Sequence, residues 1–258
     1  MSLSITYNEL QQAIGRYLGY GRNVCGPDDG SQEWADIEDC IKSGLRQFYV
    51  PPPVQGQAGS HQWSFLRPVT VLPLVGGLGD YDLPEDFGGI VGVLTYPAGT
   101  VTSPVCLVGE SAIRTLRQGS LQGGKPTQAA IRPKSSTGTA IQRFEILFWP
   151  TPDISLDLSY RYYVLPKALS NENPYPYGGQ LHCETILESC LSIAEQRLND
   201  EKAIHWDKFM ERLTASIQID RKTSGADFLG YNADRSDGAG NTANDRLTYV
   251  TVHGQIIS

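Results

Sequence analysis

Apolar residues recur with a helical period in the first fifty residues of the chain. Thr6 and Glu9 are spaced as a capping box, and the apolar stripe that follows them predicts a first helix that ends near Gly19. A second helix is predicted from about Ser31. Its apolar face consists of Trp34, Ile37, Ile41, Leu45 and Phe48. The three prolines at 51–53 then end this helix, because proline lacks the N–H that a helix needs.

The helical period returns after residue 179 and persists to about Lys222. One predicted face holds Leu187, Leu191, Ala194 and Leu198, with Ile186 and Ile193 widening it. A break near residues 199–204 leads to a last helix, whose apolar positions are Trp206, Phe209, Leu213 and Ile217. Because these helices have no apolar partner within their own segment, we expect residues 1–62 and 167–222 to close on one another as a small helical bundle.

Between the two helical regions, residues 63–166 change to the alternating period of β-strands. Strands are predicted at residues 69–75, 89–96, 144–149 and 156–164, and one short helix is predicted at 110–118. The turn at residues 150–153 is short and contains two prolines, so we expect the strands on either side of it to pair as an antiparallel hairpin. The predicted fold class is therefore α+β: a small helical bundle with an inserted antiparallel β subdomain and an extended C-terminal tail.

The predicted tail covers residues 223–258. Small and polar residues dominate positions 223–245, where Phe228, Leu229 and Tyr231 form a candidate anchor. Strand propensity returns at residues 247–252, and the candidate interface residues there are Leu247, Tyr249, Val250 and Val252. A strand that contains β-branched residues and follows a long connecting segment is suited to joining the sheet edge of another protein. In the alternative interpretation, the strand folds back onto the β subdomain of its own chain.

Composition and charge restrict the function. Of the 258 residues, 40% are hydrophobic, which is enough for a folded core. The formal net charge is −7, so the chain has no overall surplus of Lys and Arg with which to grip duplex DNA. No apolar run approaches the roughly 20 residues of a membrane-spanning helix, and the first twenty residues lack a secretory signal pattern. We therefore expect a soluble protein made in a cytoplasm, with no membrane partner.

Positive charge is concentrated in one stretch, residues 110–143, which has six basic residues and one acidic residue. The basic residues are Arg114, Arg117, Lys125, Arg132, Lys134 and Arg143. In one interpretation they form a solvated face. In the other, Arg114 and Arg117 contact the acidic surface of a neighbouring subunit or of a tail protein.

Patterns that would indicate catalysis or ligand binding are incomplete. His182 and Glu184 match half of a zinc-deaminase motif whose P-C-x-x-C half is absent, and His182 is expected to be a surface or capping residue. The glycines at 76–79 lead into extended structure, so they predict a turn and not a phosphate-binding loop. The five cysteines contain no C-x-x-C pair, and Cys183 and Cys190 are expected to be buried thiols. The sequence thus predicts no enzyme, no cofactor and no metal site.

Six segments in chain order carry a resemblance to a known family. They are GLRQFYVPPP (44–53), HQWSFLRP (61–68), DYDLPEDFGGI (80–90), FEILFWPTPD (144–153), YRYYVLPKALS (160–170) and ETILESCLSIAEQRL (184–198). Together they resemble the head-to-tail adaptor (connector) proteins of tailed bacteriophages. The plan is similar to that of the gatekeeper rings beneath the portal of short-tailed phages, over roughly residues 5–225.

The resemblance implies a structural virion protein of the phage neck, assembled in the host cytoplasm. Such proteins form rings, typically twelvefold, from copies of themselves. The rings attach to the portal protein, extend the DNA channel and offer a platform for tail or nozzle proteins. Genomic DNA is expected to pass through without sequence-specific binding. A tail or baseplate binding module that does not contact the portal is the alternative function, and a hydrolase with a dispersed site is a third.

Overall fold

The computed structural model describes residues 3–21, 28, 30–54, 59–100, 102–120, 122–134, 138, 141–223, 250–252 and 255–257. The helices are α1 (Tyr7–Tyr17), α2 (Gln32–Tyr49), α3 (Glu110–Gly119), α4 (Cys183–Asn199) and α5 (Ile204–Thr223). The strands are β1 (Val69–Leu74), β2 (Asp80–Asp82), β3 (Phe87–Thr95), β4 (Cys106–Leu107), β5 (Gln128–Pro133), β6 (Phe144–Trp149), β7 (Leu156–Val164), β8 (Val250–Val252) and β9 (Gln255–Ile257). The fold is mixed α+β, as the sequence predicts.

The predicted capping signals are present at the first two helices. Thr6 N–H donates to the Glu9 carboxylate at 2.8 Å, and Glu9 N–H donates back to the Thr6 hydroxyl at 3.3 Å, which completes the capping box of α1. The Ser31 hydroxyl accepts from Trp34 N–H at 3.1 Å and caps α2. These bonds satisfy backbone donors that the first helical turn would leave without partners.

The helices α1, α2 and α5 pack around α4 and contact it. The buried row on α4 is Ile186, Cys190 and Ala194, whereas Leu187 and Leu191 are half-buried and Leu198 is exposed. The predicted face is therefore confirmed at Ala194 and Ile186, and Leu187, Leu191 and Ile193 pack half-buried against the core, but it is wrong at Leu198. The row is centred on Cys190 because Gly44 of α2 lies against the Cys190 backbone, where a larger side chain has no room.

The strands form two sheets of different order. Sheet A has the order β1-β7-β3 and is antiparallel, and sheet B has the order β2-β6-β5-β4, in which only the β4–β5 pair is parallel. An antiparallel bridge between Leu94 and Val105 links β3 of sheet A to the start of β4 in sheet B. The short helix α3 packs against β5 and β6 on sheet B.

The predicted hairpin of β6 and β7 is wrong. Strand β6 lies between β2 and β5 in sheet B, and β7 lies between β1 and β3 in sheet A. The turn that joins them bonds to other segments: Thr151 N–H donates to Gln122 C=O at 3.1 Å, and Pro152 C=O accepts from Gly77 N–H at 2.7 Å. The chain therefore crosses from one sheet to the other at this turn.

One continuous apolar core joins the helices to the sheets. It runs from Tyr7 and Phe48 on the helices through Trp63 to Leu74 on β1 and Phe148 on β6. A smaller cluster of Ile113, Ala130 and Leu147 lies beneath α3. The division at residue 62 into a helical bundle and a β subdomain stays a prediction. Residues of one buried core lie on both sides of that boundary.

Near the C-terminus, β8 pairs with β9 as an antiparallel hairpin in which Val250 lies opposite Ile257 and Val252 opposite Gln255. The sequence predicts the first of these strands as a single piece at residues 247–252, and the structure gives it a partner within the same tail. The other candidate tail residues, Phe228, Leu229, Tyr231, Leu247 and Tyr249, lie outside the described residues.

Candidate interaction surfaces

An aromatic cluster joins the end of α2 to the start of α4. The ring of His182 lies 5.2 Å from Trp63, 5.3 Å from Phe65 and 6.1 Å from Phe48. Trp63 Nε1–H donates to Phe48 C=O at 2.8 Å, which fixes the indole within the cluster. His182 is buried, so its predicted place at the surface is wrong, whereas it does occupy the N-cap position of α4, without a side-chain capping bond. The reason is long-range packing: residues 61–66 cover the N-terminal end of α4, where a surface residue is otherwise expected.

Asp220 on α5 holds the same segment by hydrogen bonds. Its carboxylate accepts from the Ser64 hydroxyl at 2.5 Å and from Ser64 N–H at 3.1 Å, and it lies 2.8 Å from His61 Nε2. Burial alone would raise the pKa of Asp220, but the hydrogen bonds from Ser64 and His61 outweigh it and the pKa is lowered. The buried carboxylate is therefore held in its charged form.

The same three residues do not form a catalytic triad. In a Ser–His–Asp triad the imidazole lies between the hydroxyl and the carboxylate, where it removes the hydroxyl proton. Here the carboxylate of Asp220 is central, and both Ser64 and His61 bond to it. The arrangement fixes residues 61–64 on α5 through the shared carboxylate of Asp220.

A cavity of about 490 Å³ opens beside the C-terminal end of α2. It is lined by Tyr49, Asp86, Lys167, Ala168, Leu169, Glu172, Asn173, Pro174, Tyr175 and Tyr177. Tyr177 N–H donates to the Tyr49 hydroxyl at 2.9 Å and closes one wall. The lining has no Ser, Cys or His side chain, so it offers no Ser–His or Cys–His pair, and its ionisable side chains are those of Asp86, Lys167, Glu172 and three tyrosines.

The basic cluster of residues 110–143 finds acidic partners in strands that are distant in sequence. Arg117 lies 2.7 Å from the carboxylate of Asp80 and donates to the Gly79 and Phe148 carbonyls at 3.0 Å each. Arg132 donates to Glu145 at 2.5 Å and lies 3.6 Å from Asp80. These contacts place both guanidinium groups across sheet B, between β2, β5 and β6.

Three of the remaining four members are paired with acidic residues nearer the surface, and the fourth, Lys125, donates to the Thr102 hydroxyl at 3.5 Å. Lys134 lies 2.7 Å from Asp82, and Arg143 lies 3.0 Å from Glu85. Arg114 bonds to Glu110 one turn before it on α3, and its side chain is 73% exposed. The acidic residues at positions 80–86 therefore offset positive charge of the 110–143 stretch, which contains one acidic residue of its own. The prediction that Arg114 and Arg117 contact another protein stays a prediction.

Comparison with family models gives the observation that decides the identity. Residues 5–231 match the model of the SU10 adaptor protein family, which covers most of the 258 residues. The chain belongs to the SU10 adaptor protein family. A search of the curated proteins finds no match.

The family places this adaptor among the structural proteins of phage particles. Family membership also implies that the adaptor interacts with other proteins of the virion. None of the helices in the described part of the adaptor has the length and apolar character needed to cross a membrane. Among the described residues, no three or more His, Cys, Asp and Glu side chains are arranged to hold a metal ion. Cys183 and Cys190 are buried and free, as the sequence predicts.

The surface that sequence reasoning missed is the outward side of β1 in the adaptor. Val69 and Val71 are exposed there, whereas Leu72 and Leu74 on the opposite side of the strand are buried. The available signal was Pro73, because proline within a strand is confined to sheet edges and bulges.

Proposed function

We propose that this adaptor forms a ring on the portal of a phage, extends the DNA channel and presents a platform for tail or nozzle proteins. The observation that carries the proposal is the family match over residues 5–231. The ring is built from copies of this chain, twelve in number if it follows the symmetry that the resemblance implies. Its place is the neck of the virion, and it assembles in the host cytoplasm.

The charge distribution supports a channel through which DNA slides. The net charge is −7, and five of the six cations in the 110–143 stretch lie against carboxylates of the same chain, whereas Lys125 contacts the Thr102 hydroxyl. A protein grips duplex DNA by neutralising phosphates with Lys and Arg, so cations that are already paired contribute little to such a grip. Genomic DNA is therefore a passing partner without sequence-specific contacts.

Two surfaces are proposed for protein partners. Arg114 is exposed on α3 and can exchange its pairing with Glu110 for an acidic residue of another protein. Arg117 is less suitable, because its guanidinium already holds β2 to β6 through Asp80 and two backbone carbonyls. The C-terminal tail is the second surface, with Val250 and Val252 on strand β8.

The test is cryo-electron microscopy of the full chain mixed with a purified portal ring, with native mass spectrometry of the same mixture. The proposal expects a closed ring of adaptor copies stacked on the portal, coaxial with its channel. A soluble 1:1 heterodimer of adaptor and portal subunit would overturn the ring. No binding to the portal, with binding to tail or baseplate proteins instead, would favour the alternative of a tail binding module.

A further inference from the structure

The edge of β1 is open. Strand β1 has β7 on one side, and no other strand of the described residues pairs with its second side. Pro68 C=O accepts from Tyr162 N–H at 3.3 Å, which makes this pair a hydrogen-bonded rung of the ladder. Rungs alternate along antiparallel strands, so the backbone groups of Thr70 and Leu72 also face β7. Those of Val69 and Val71 therefore point outward.

The open part of the edge is short. At its far end, the Tyr81 hydroxyl accepts from Val75 N–H at 2.8 Å and donates to Val75 C=O at 2.9 Å, which closes that stretch. Pro73 has no N–H to offer. The backbone groups that remain for a new strand are those of Val69 and Val71, which suit a partner strand of about three residues.

The side chains beside this edge are apolar. Val69 is 63% exposed and Val71 54% exposed, and across the ladder on β7 they lie opposite Arg161 and Ser159. An open edge with exposed apolar side chains is a template for another strand, and proteins normally cover or blunt it. Within the described residues no other strand pairs with this edge, and both of its outward-facing positions are valines.

The tail contains a strand of matching size. Strand β8 has three residues, Val250–Val252, and its sheet consists of β8 and β9 alone. A two-stranded hairpin is marginally stable in water unless it joins a larger sheet. Residues 224–249 separate α5 from β8, and this length of chain spans up to roughly 90 Å when extended. That distance is enough to reach a neighbouring copy.

We propose that β8 of a second copy of this chain adds to the open edge of β1, so that the sheet becomes β9-β8-β1-β7-β3. The proposal rests on the proposed function, in which copies of the chain form a ring. It identifies the contact between neighbouring copies in that ring. In the single chain β8 and the edge of β1 are not paired with each other, although the intervening residues are long enough to permit it. A contact from the tail of one copy to the sheet of the next is heterologous, and such contacts give a ring when the rotation between successive copies closes.

The test is disulfide cross-linking between two differently tagged full-length chains. One carries Val71→Cys, and the other carries Val250→Cys, Thr251→Cys or Val252→Cys. Paired strands bring Cα atoms within the range that a disulfide needs, and side chains alternate between the faces. We expect a covalent heterodimer either with the cysteines at 250 and 252 or with the cysteine at 251, but not with all three. Residues 250 and 252 share one face of the strand, and residue 251 lies on the other. Val93→Cys is the matched control, because Val93 is an exposed valine on β3, which lies on the far side of β7 from β1.

Several outcomes of the cross-linking would overturn the proposal. They are equal cross-linking at all three tail positions, cross-linking of Val93→Cys as efficient as that of Val71→Cys, or linkage only within one chain when both cysteines are placed together. Linkage of the tail cysteine to the portal alone would do the same. If rings assemble on the portal without the β1–β8 link, this inference fails and the proposed function stands. If the link forms and the portal is not bound, the proposed function fails.

A second variant tests the backbone bonds directly. Val71→Pro removes the outward N–H, and since that group makes no bond to β7, we expect the melting temperature of the monomer to change little. We expect at least a tenfold weaker self-association in native mass spectrometry on the portal. Val71→Thr is the control, because it keeps both the N–H and the branched side chain. Equal association of the two variants would contradict the proposal.

Discussion

His182 is a titratable ring held among Trp63, Phe65 and Phe48, and its Nδ1 atom is buried without a hydrogen-bond partner in the described structure. Burial lowers the pKa of His182 below its usual value, and the nearby carboxylate of Asp220 opposes this only in part. The folded protein therefore holds the ring neutral at a pH at which the unfolded chain has already taken up a proton.

The first prediction concerns pH. Because the unfolded state binds more protons, the free energy of unfolding should decrease as the pH falls below about 6.5, the usual pKa of histidine, and continue down to the lowered pKa of the folded state. Urea denaturation between pH 7.5 and 5 measures this slope. In His182→Phe, which keeps an aromatic ring in the cluster, the slope should be smaller, and His182→Leu is a second variant. An unchanged slope in both would contradict the assignment.

His182 also shows where sequence reasoning stops at the scale of single residues. Its position before an apolar helix favours a cap, and local signals contain nothing about residues 61–66, which cover it in the fold. Arg117 and Asp80 show the same limit for charge, since their ion pair joins segments that composition treats separately. Local capping at Thr6 and Glu9 was predictable because both partners lie within one turn.

At the scale of elements, the close contact of α2 and α4 depends on Gly44. A Cβ atom at this position would lie 2.5 Å from Cys190 Cα and 2.7 Å from its Sγ atom. The Ser189 hydroxyl also donates to Gly44 C=O at 2.7 Å, which ties the two helix backbones together. The contact therefore requires glycine for the approach of one backbone to another and not for a turn.

The second prediction is that Gly44→Ala destabilises the protein, although alanine usually favours a helix by about 1 kcal/mol over glycine. Forcing a methyl group against backbone atoms should cost about 3 kcal/mol, which lowers the melting temperature by roughly 10 °C. Gly119→Ala in α3 is the matched control, because its added Cβ meets nothing within 4 Å. Thermal unfolding measures both variants. Equal melting temperatures would mean that α2 and α4 separate at little cost.

The elements themselves were largely predictable, and their pairing was not. Hydrophobic period predicts all the long helices and the strands β1, β3, β6 and β7, since each period reflects which side of an element is buried. The partner of a strand depends on distant segments. The 150–153 turn looks like a hairpin, yet its backbone bonds to Gln122 and Gly77 direct β6 and β7 into different sheets.

At the scale of the whole molecule, the core of the described residues lies before the tail. Its last member among them is Ile217, and α5 ends at Thr223. The fold class and the family resemblance were predictable because both are carried by segments before residue 225. The open edge of β1 was not, since it follows from the order of strands in the sheet, and Pro73 alone indicated it.

The third prediction follows from this separation of core and tail. Deleting residues 226–258 removes no core member among the residues whose burial the structure describes, so the melting temperature should stay within about 2 °C of that of the full chain, a change of less than about 1 kcal/mol. The same deletion removes β8, and with it the strand that we assign to the neighbouring β1. Mixed with a portal, the truncated chain should therefore fail to give closed rings in electron micrographs, whereas the full chain gives them under identical conditions. Val71→Pro should reproduce this failure in a chain of full length. Closed rings of the truncated chain with undiminished portal affinity would show that the contacts between subunits lie in the core.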